Sequence, residues 1–217
     1  MRNVSLPVGP FLELTELARA RSLKAAMGER PQGPLYVFAY GSLLWRPCFE
    51  PISTRRARLS GYARQFSMWT VKARGTPHAP GLGLALERCN GECGGVLLEV
   101  SHADENAALK RLWAREMLTA AYVPTWVHVF VSDQRHRQRG TPPPKTPITA
   151  LTFVIDPGHP QYAGELTAET QAKFIASASG ELGPCADYLV DTVSALREHD
   201  LADDELERLL RHVRDVL

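Results

Sequence analysis

The sequence predicts an α+β protein on three observations. Segments of strand character crowd the chain between Tyr36 and Ile155, segments of helical character fill the last third, and no regular alternation of the two marks parallel βαβ units. At 217 residues the chain favours one large domain over two. A chain of this size buries roughly 70% of the surface its unfolded form exposes, enough for a core without disulfide or metal staples.

The elements follow in order. Residues 11–27, FLELTELARARSLKAAM, favour a helix by propensity, with Arg19, Arg21 and Lys24 among its exposed positions. Those basic residues either form a solvated face or touch an acidic partner. QGP at 32–34 breaks the chain, so residues 1–34 are expected to form a helical N-terminal extension ahead of a domain over 35–217. Tyr36–Tyr40 reads as a buried strand. Leu82, Leu84 and Leu86 alternate with Gly83, Ala85 and Glu87, the period of two of a half-buried strand. CNGECGG and then VLLEV follow, which together predict a hairpin. Ser101 opens a helix as N-cap, with Asp104 three residues on. In TWVHVFV, Val127, Val129 and Val131 alternate with Trp126, His128 and Phe130. SDQRHRQRGTPPPKTP reads as a loop and ITALTFVI as a strand. One helix starts near Thr167, a second lies around Tyr188 to His199, and a third follows Asp200 with Leu206, Leu209, Leu210, Val213 and Leu217 in an apolar stripe.

Composition narrows the function. Lys and Arg number 25 against 24 Asp and Glu, which leaves no global field to draw the chain to nucleic acid or to an anionic membrane. No stretch approaches the roughly 18 apolar residues of a membrane helix. The N-terminus shows no uninterrupted apolar run ending in a small-residue cleavage site. Cys48, Cys89, Cys93 and Cys185 therefore read as reduced cytoplasmic thiols. Cys89 and Cys93 have no second Cys/His pair at zinc-like spacing, so no metal is expected. RHRQRG could meet phosphate, but no aromatic residues interleave with it, and a solvated loop is the plainer reading.

Two features carry chemistry. In the helix ENAALKRLWAREMLTA, Leu109, Leu112, Trp113 and Met117 share one face, and Lys110, Arg111, Ala114 and Arg115 the other. Glu116 stands four residues from Leu112 and so points with the apolar stripe. A carboxyl in apolar surroundings raises its pKa, as a general acid/base requires, although a buried Arg partner or a helix-end position would account for it structurally. The second feature is YVFAYGSLLW at 36–45, where a strand breaks at Gly41 and Ser42. Successive amides at such a bend can form an anion-binding nest, and a plain strand-to-turn junction is the alternative. Ser42 does not fit the hydrolase elbow G-x-S-x-G, which fails here at both glycines, and none of the seven histidines has a telling context.

These segments together resemble the ChaC-type γ-glutamylcyclotransferases. The resemblance rests on Y-G-S-L-L-W, on A-R-G-T-P-x-x-P-G at 73–81, on A-R-E-M at 114–117 followed by A-Y-V-P-x-W-V, and on GPCADYL with DLADDELERLLRHV. It spans roughly Leu35 to Val216. It implies a mixed β-barrel-like core with surrounding helices. It also implies cleavage of glutathione to 5-oxoproline and cysteinylglycine, with no metal or organic cofactor. On this resemblance Glu116 is the catalytic glutamate, and Tyr40, Gly41, Ser42 and Leu43 hold the γ-glutamyl moiety. Arg74 is a candidate for the substrate's glycine carboxylate, or else a structural ion pair. Tyr122 and Tyr188 either line the pocket or belong to the core. Lys72 and Ala73 stand where related sequences often carry Asp-His, and Cys185 where asparagine is frequent, which leaves the leaving group open. Other γ-glutamyl amines or peptides are the alternative substrates, and a non-catalytic small-molecule-binding module on the same fold is the alternative class. The expected partner is thus a small molecule, neither nucleic acid nor membrane, with the oligomeric state open.

Overall fold

Thr15 decides where the first helix begins. Its Oγ1 accepts from the Ala18 amide at 3.2 Å, so α1 covers Glu16–Gly28 and starts later than the propensity of residues 11–14 indicates. The Leu14 amide is instead committed to the Leu118 carbonyl at 2.7 Å. The computed structural model describes residues 6–7, 11–131 and 146–217. The RHRQRG loop lies outside the described residues.

Five strands close into a mixed barrel. They are β1 (Tyr36–Ala39), β2 (Pro51–Thr70), β3 (Gly81–Val100), β4 (Tyr122–Val131) and β5 (Ile148–Ile155), in the order β1-β3-β2-β4-β5. β1 runs antiparallel to β3, with Tyr36 opposite Glu99 and Ala39 opposite Val96, and parallel to β5, with Val37 opposite Leu151. Flanked on both sides, β1 is a near-continuous apolar run, and Val37, Phe38 and Ala39 are buried. β4 keeps the predicted alternation, with Val127, Val129 and Val131 inside and His128 and Phe130 outside. Closure gives each of these five strands a neighbour on both sides.

The expected hairpin at CNGECGG does not form. β3 passes straight through it, and the hairpin is the preceding one, in which residues 71–80 join β2 to β3. Gly95 shows why composition misled here. A Cβ on Gly95 would lie 2.5 Å from the Ala39 carbonyl oxygen and 2.6 Å from Phe38 Cζ, so this glycine serves a close strand approach and not a turn. The glycine that does close the turn is Gly75, where a Cβ would lie 2.3 Å from the Gly81 amide nitrogen.

After β3, residues 102–104 form a single 3-10 turn and α2 (Glu105–Glu116) begins. Ser101 therefore caps no α-helix; its carbonyl accepts from the Asp104 amide at 3.0 Å, and no side-chain cap bond forms. Ala108, Leu109, Leu112 and Trp113 are buried along α2, as the stripe predicts, with Met117 next to its end. α1 is fastened here although none of its residues is buried. Trp113 Nε1 donates to Ser22 Oγ at 3.3 Å, Trp126 Nε1 to the Ala26 carbonyl at 3.0 Å, and Arg30 forks onto Glu105 at 2.7 and 3.0 Å.

The C-terminal part carries α3 (Ala168–Ser177), α4 (Cys185–Glu198) and α5 (Asp204–Val216), with a small ribbon of β6 (Ser179–Gly180) and β7 (Gly183–Pro184) between the first two. Thr167 and Asp203 cap α3 and α5 through side-chain oxygens. Leu206, Leu209, Leu210 and Val213 are buried in α5 as expected, whereas Leu217 follows the helix end and is 77% exposed. Among the described residues no helix is long and apolar enough to cross a membrane.

The chain divides into two compact units. The first holds Gln65–Ala85 and Ile155–Leu217 together with the N-terminal Met1–Leu12, and the second holds Glu13–Arg64 and Leu86–Val154. The strand pairings of β1, β4 and the proximal part of β2 belong to the second unit.

Candidate active site

β1 leads into a tyrosine fixed from two sides. The Tyr40 hydroxyl donates to the Phe153 carbonyl of β5 at 2.9 Å, and the Tyr40 carbonyl accepts from Arg64 Nη1 at 2.6 Å. Arg64 is itself buried, and its Nη2 donates to the Gly94 carbonyl. A buried guanidinium thus stands behind the peptide that joins Tyr40 to Gly41. The chain then leaves the sheet, and Ser42–Leu44 make one 3-10 turn whose bond runs from the Leu44 amide to the Gly41 carbonyl at 2.8 Å. The Ser42 and Leu43 amides precede that bond and stand outside the turn's ladder. Leu43 and Leu44 are buried and anchor the turn.

α2 grips this turn and the loop after it with two arginines one helical turn apart. Arg115 donates through Nη2 to Ser42 Oγ at 2.6 Å and through Nη1 to the Arg46 carbonyl. Arg111 Nε donates to the Cys48 carbonyl at 2.6 Å. Beside Arg115, Glu116 ends the helix with its side chain 14% exposed. Its Oε1 lies 3.2 Å from Arg115 Nε, yet that buried oxygen has no hydrogen-bond partner among the described residues. Neighbours in sequence come close here without aligning an N–H on the oxygen, so the contact is one of charge.

Burial raises the Glu116 carboxyl above its ordinary value of 4.5, and the nearby Arg115 charge opposes the rise without cancelling it. The C-terminal end of a helix disfavours negative charge and acts in the same direction as burial. Burial also pushes the Cys48 thiol up, against a smaller pull from Arg115.

One unit therefore brings together Tyr40, Gly41, Ser42, Leu43 and Glu116, linked through Arg115. Tyr122, also in that unit, is half-buried at the start of β4, after a tight connection through Ala120 at φ +60°. Arg74 and Tyr188 lie in the other unit. There Arg74 Nη1 donates to the Pro184 carbonyl at 3.0 Å, Nη2 stands 3.9 Å from Asp191 Oδ2, and the guanidinium carbon lies 5.8 Å from the Tyr188 ring centroid. Tyr188 meets Phe66 edge-on with centroids 5.7 Å apart. Cys185 is buried, its Sγ donates to the Leu82 carbonyl at 3.1 Å, and burial pushes its pKa up to about 11. Lys72 and Ala73 are held through their carbonyls, which accept from the Glu181 and Leu182 amides at 2.9 and 2.8 Å.

Arg64 and Arg115 are the site residues that sequence reasoning missed. Arg64 stands two residues from both Tyr62 and Phe66, which are buried, so the period of two did place it with them on the inner face. Arg115 gave no such signal, since it falls on the polar side of α2.

A mixed barrel whose first strand ends in a Y-G-S-L turn, clamped beside a buried helix-end glutamate, defines the architecture. The chain belongs to the ChaC-like protein family, which matches residues 35–216. It is 36% identical over 200 residues to the glutathione-specific γ-glutamylcyclotransferase of Escherichia coli, covering 92% of this chain and 81% of that protein. Against the mouse glutathione-specific γ-glutamylcyclotransferase 1, identity is 31% over 170 residues, covering 78% of this chain and 72% of that one. The crystal structure of a yeast γ-glutamyl cyclotransferase specific to glutathione shares the fold, with a TM-score of 0.74 at 20% identity over 85% of this chain and 97% of that chain.

Proposed function

We propose that this protein is a cyclotransferase that cleaves glutathione to 5-oxoproline and cysteinylglycine, with Glu116 as general acid/base. The observation that carries the reading is the buried Glu116 carboxyl, whose Oε1 lacks a hydrogen-bond partner among the described residues, beside the Arg115-held Y-G-S-L turn. The substrate's α-amine attacks its own γ-carbonyl carbon, a C–N bond closes the five-membered ring, and the bond to the cysteinyl nitrogen breaks. An α-amine has a pKa of about 7.7–8.0 and is mostly protonated at neutral pH. Glu116 takes the amine proton and returns it to the departing nitrogen, and a carboxyl with a raised pKa suits both transfers.

The turn performs the geometric task. The amides of Gly41, Ser42 and Leu43 hold the substrate's α-carboxylate, with Tyr40 fixing the start of the turn. Holding a flexible γ-glutamyl chain curled supplies up to about 7–11 kcal/mol in favourable intramolecular cases. Arg74 is proposed to recognise the glycine carboxylate, and Tyr122 and Tyr188 to contact substrate. Arg74→Met is then expected to raise KM for glutathione and to leave KM for a γ-glutamyl amine lacking that carboxylate unchanged. Residues 35–217 constitute the proposed catalytic domain and 1–34 its extension, and a reduced-thiol substrate together with four free cysteines favours the cytoplasm.

The test is to incubate the purified protein with glutathione and, separately, with a γ-glutamyl amine, and to measure 5-oxoproline. Release from glutathione is expected. Release from the amine alone reassigns the leaving group, and release from neither overturns the enzyme reading.

A further inference from the structure

We propose that Arg115 is the positioning residue of this site: its single guanidinium holds the Ser42 hydroxyl as a donor toward substrate and holds Glu116 ready as a base. The inference deepens the proposed reaction and rests on Glu116 being the proton carrier.

The geometry argues it in three parts. Arg115 uses separate nitrogens for Ser42 Oγ, for the Arg46 carbonyl and for the edge of Glu116. The planar fork of arginine fits such a fixed three-way contact, whereas a lysine ammonium offers a single charge centre. Next, a guanidinium has no acceptor, so Ser42 must accept in this contact. Its own proton is left to donate elsewhere, and the charged partner makes that hydroxyl a stronger donor. This pre-sets Ser42 to face an anionic substrate group.

The third part is electrostatic. The charged and titratable groups that bear on this corner among the described residues are Arg115 and Arg111 of α2 and the Cys48 thiol of the loop after the turn. Of these, Arg115 is the one whose charge acts on Glu116 against burial. Without it the carboxylate stands buried at a helix C-terminus with no opposing charge. Its protonated form then persists to higher pH, and the base needed for the first proton transfer is lost there. Arg115 thus couples the two halves of the site, since the group that orients the binding turn also sets when the catalytic carboxylate is ionised.

The experiment compares the pH dependence of kcat/KM for glutathione in wild type, Arg115→Gln, Arg115→Lys and Glu116→Gln. In Arg115→Gln the acid limb is expected to move to higher pH by about one to three units, the effect of losing an opposite charge at this range, together with a rise in KM. Arg115→Lys keeps the charge and loses the fork, so the limb is expected to stay close to its wild-type position while KM still rises. An Arg115→Gln limb at the wild-type pH, whatever happens to the melting temperature, overturns the proposal and leaves Arg115 a structural clamp. Full activity in Glu116→Gln instead removes the reading beneath it, so the two failures are told apart. If Arg115→Gln does not fold, a double-mutant cycle on KM between Ser42→Ala and Arg115→Lys decides: non-additive effects support the coupling, and additive ones overturn it.

Discussion

Glu116→Gln keeps the shape of the side chain and removes both its charge and its transferable proton. Two consequences of opposite sign follow. General acid/base catalysis contributes typically 10²–10⁴-fold, so kcat is expected to fall by about that factor, equivalent to about 3–5 kcal/mol of barrier. Stability is expected to rise. The folded-state pKa of Glu116 lies above its ordinary value of 4.5 because the side chain is buried. The contribution of such a group is fully present below the unfolded value and is lost as pH rises through the folded value. Within that window the unfolded chain releases a proton that the folded chain retains, and the wild type loses up to about 1.4 kcal/mol of stability per pH unit. Glutamine stays neutral and shows no such decline. For a chain of this length 1 kcal/mol corresponds to about 2–4 °C, so the two melting temperatures should part by about 3–5 °C for each pH unit of the window. The assay is thermal unfolding followed by circular dichroism at pH steps from 4 upward, alongside 5-oxoproline release. Parallel melting curves for the two proteins, or undiminished release in the variant, would refute the argument. A variant that had merely unfolded could not lose activity and gain stability together.

Three further perturbations probe the scaffold. Gly95→Ala drives a Cβ to within 2.5 Å of the Ala39 carbonyl oxygen and should cost about 1–3 kcal/mol, the usual penalty of overpacking, measured by urea unfolding. A wild-type midpoint would show that β1 and β3 can part without loss. Arg64→Met removes the guanidinium donations to the Tyr40 and Gly94 carbonyls, at about 1–3 kcal/mol for a donor lost from a buried carbonyl. KM for glutathione should rise as the turn loosens, and an unchanged KM with normal stability would remove Arg64 from the account. Iodoacetamide at pH 8 should label the exposed Cys89 in the native protein and leave Cys185, buried with a pKa of about 11, unlabelled until denaturant is added. Mass spectrometry of the labelled peptides checks this, and native labelling of Cys185 would contradict its burial.

The parts of the molecule that the sequence revealed are those where one element's own period decides. The alternation of β4, the apolar stripes of α2 and α5, and the helix starts near Thr167 and after Asp200 each follow from residues a few positions apart. Glu116 belongs to this group, because four residues from Leu112 on a helix is the buried side wherever that helix docks. The strand break at Gly41 was legible in the same way.

Tertiary structure decided the rest, for reasons no local period contains. Gly95 reads as a turn former, because glycine supplies conformational freedom and close approach alike, and only the distance to Ala39 and Phe38 separates the two uses. Arg115 sits on the polar side of α2 and would be solvated on an isolated helix. It becomes half-buried because the turn after β1, some seventy residues earlier in the chain, presents the Ser42 hydroxyl and the Arg46 carbonyl to it. A side chain's direction on its helix is a local property. Which acceptors await it is set by how distant segments pack, and the pairing of Ser42 with Arg115 beside Glu116 exists only in the folded chain.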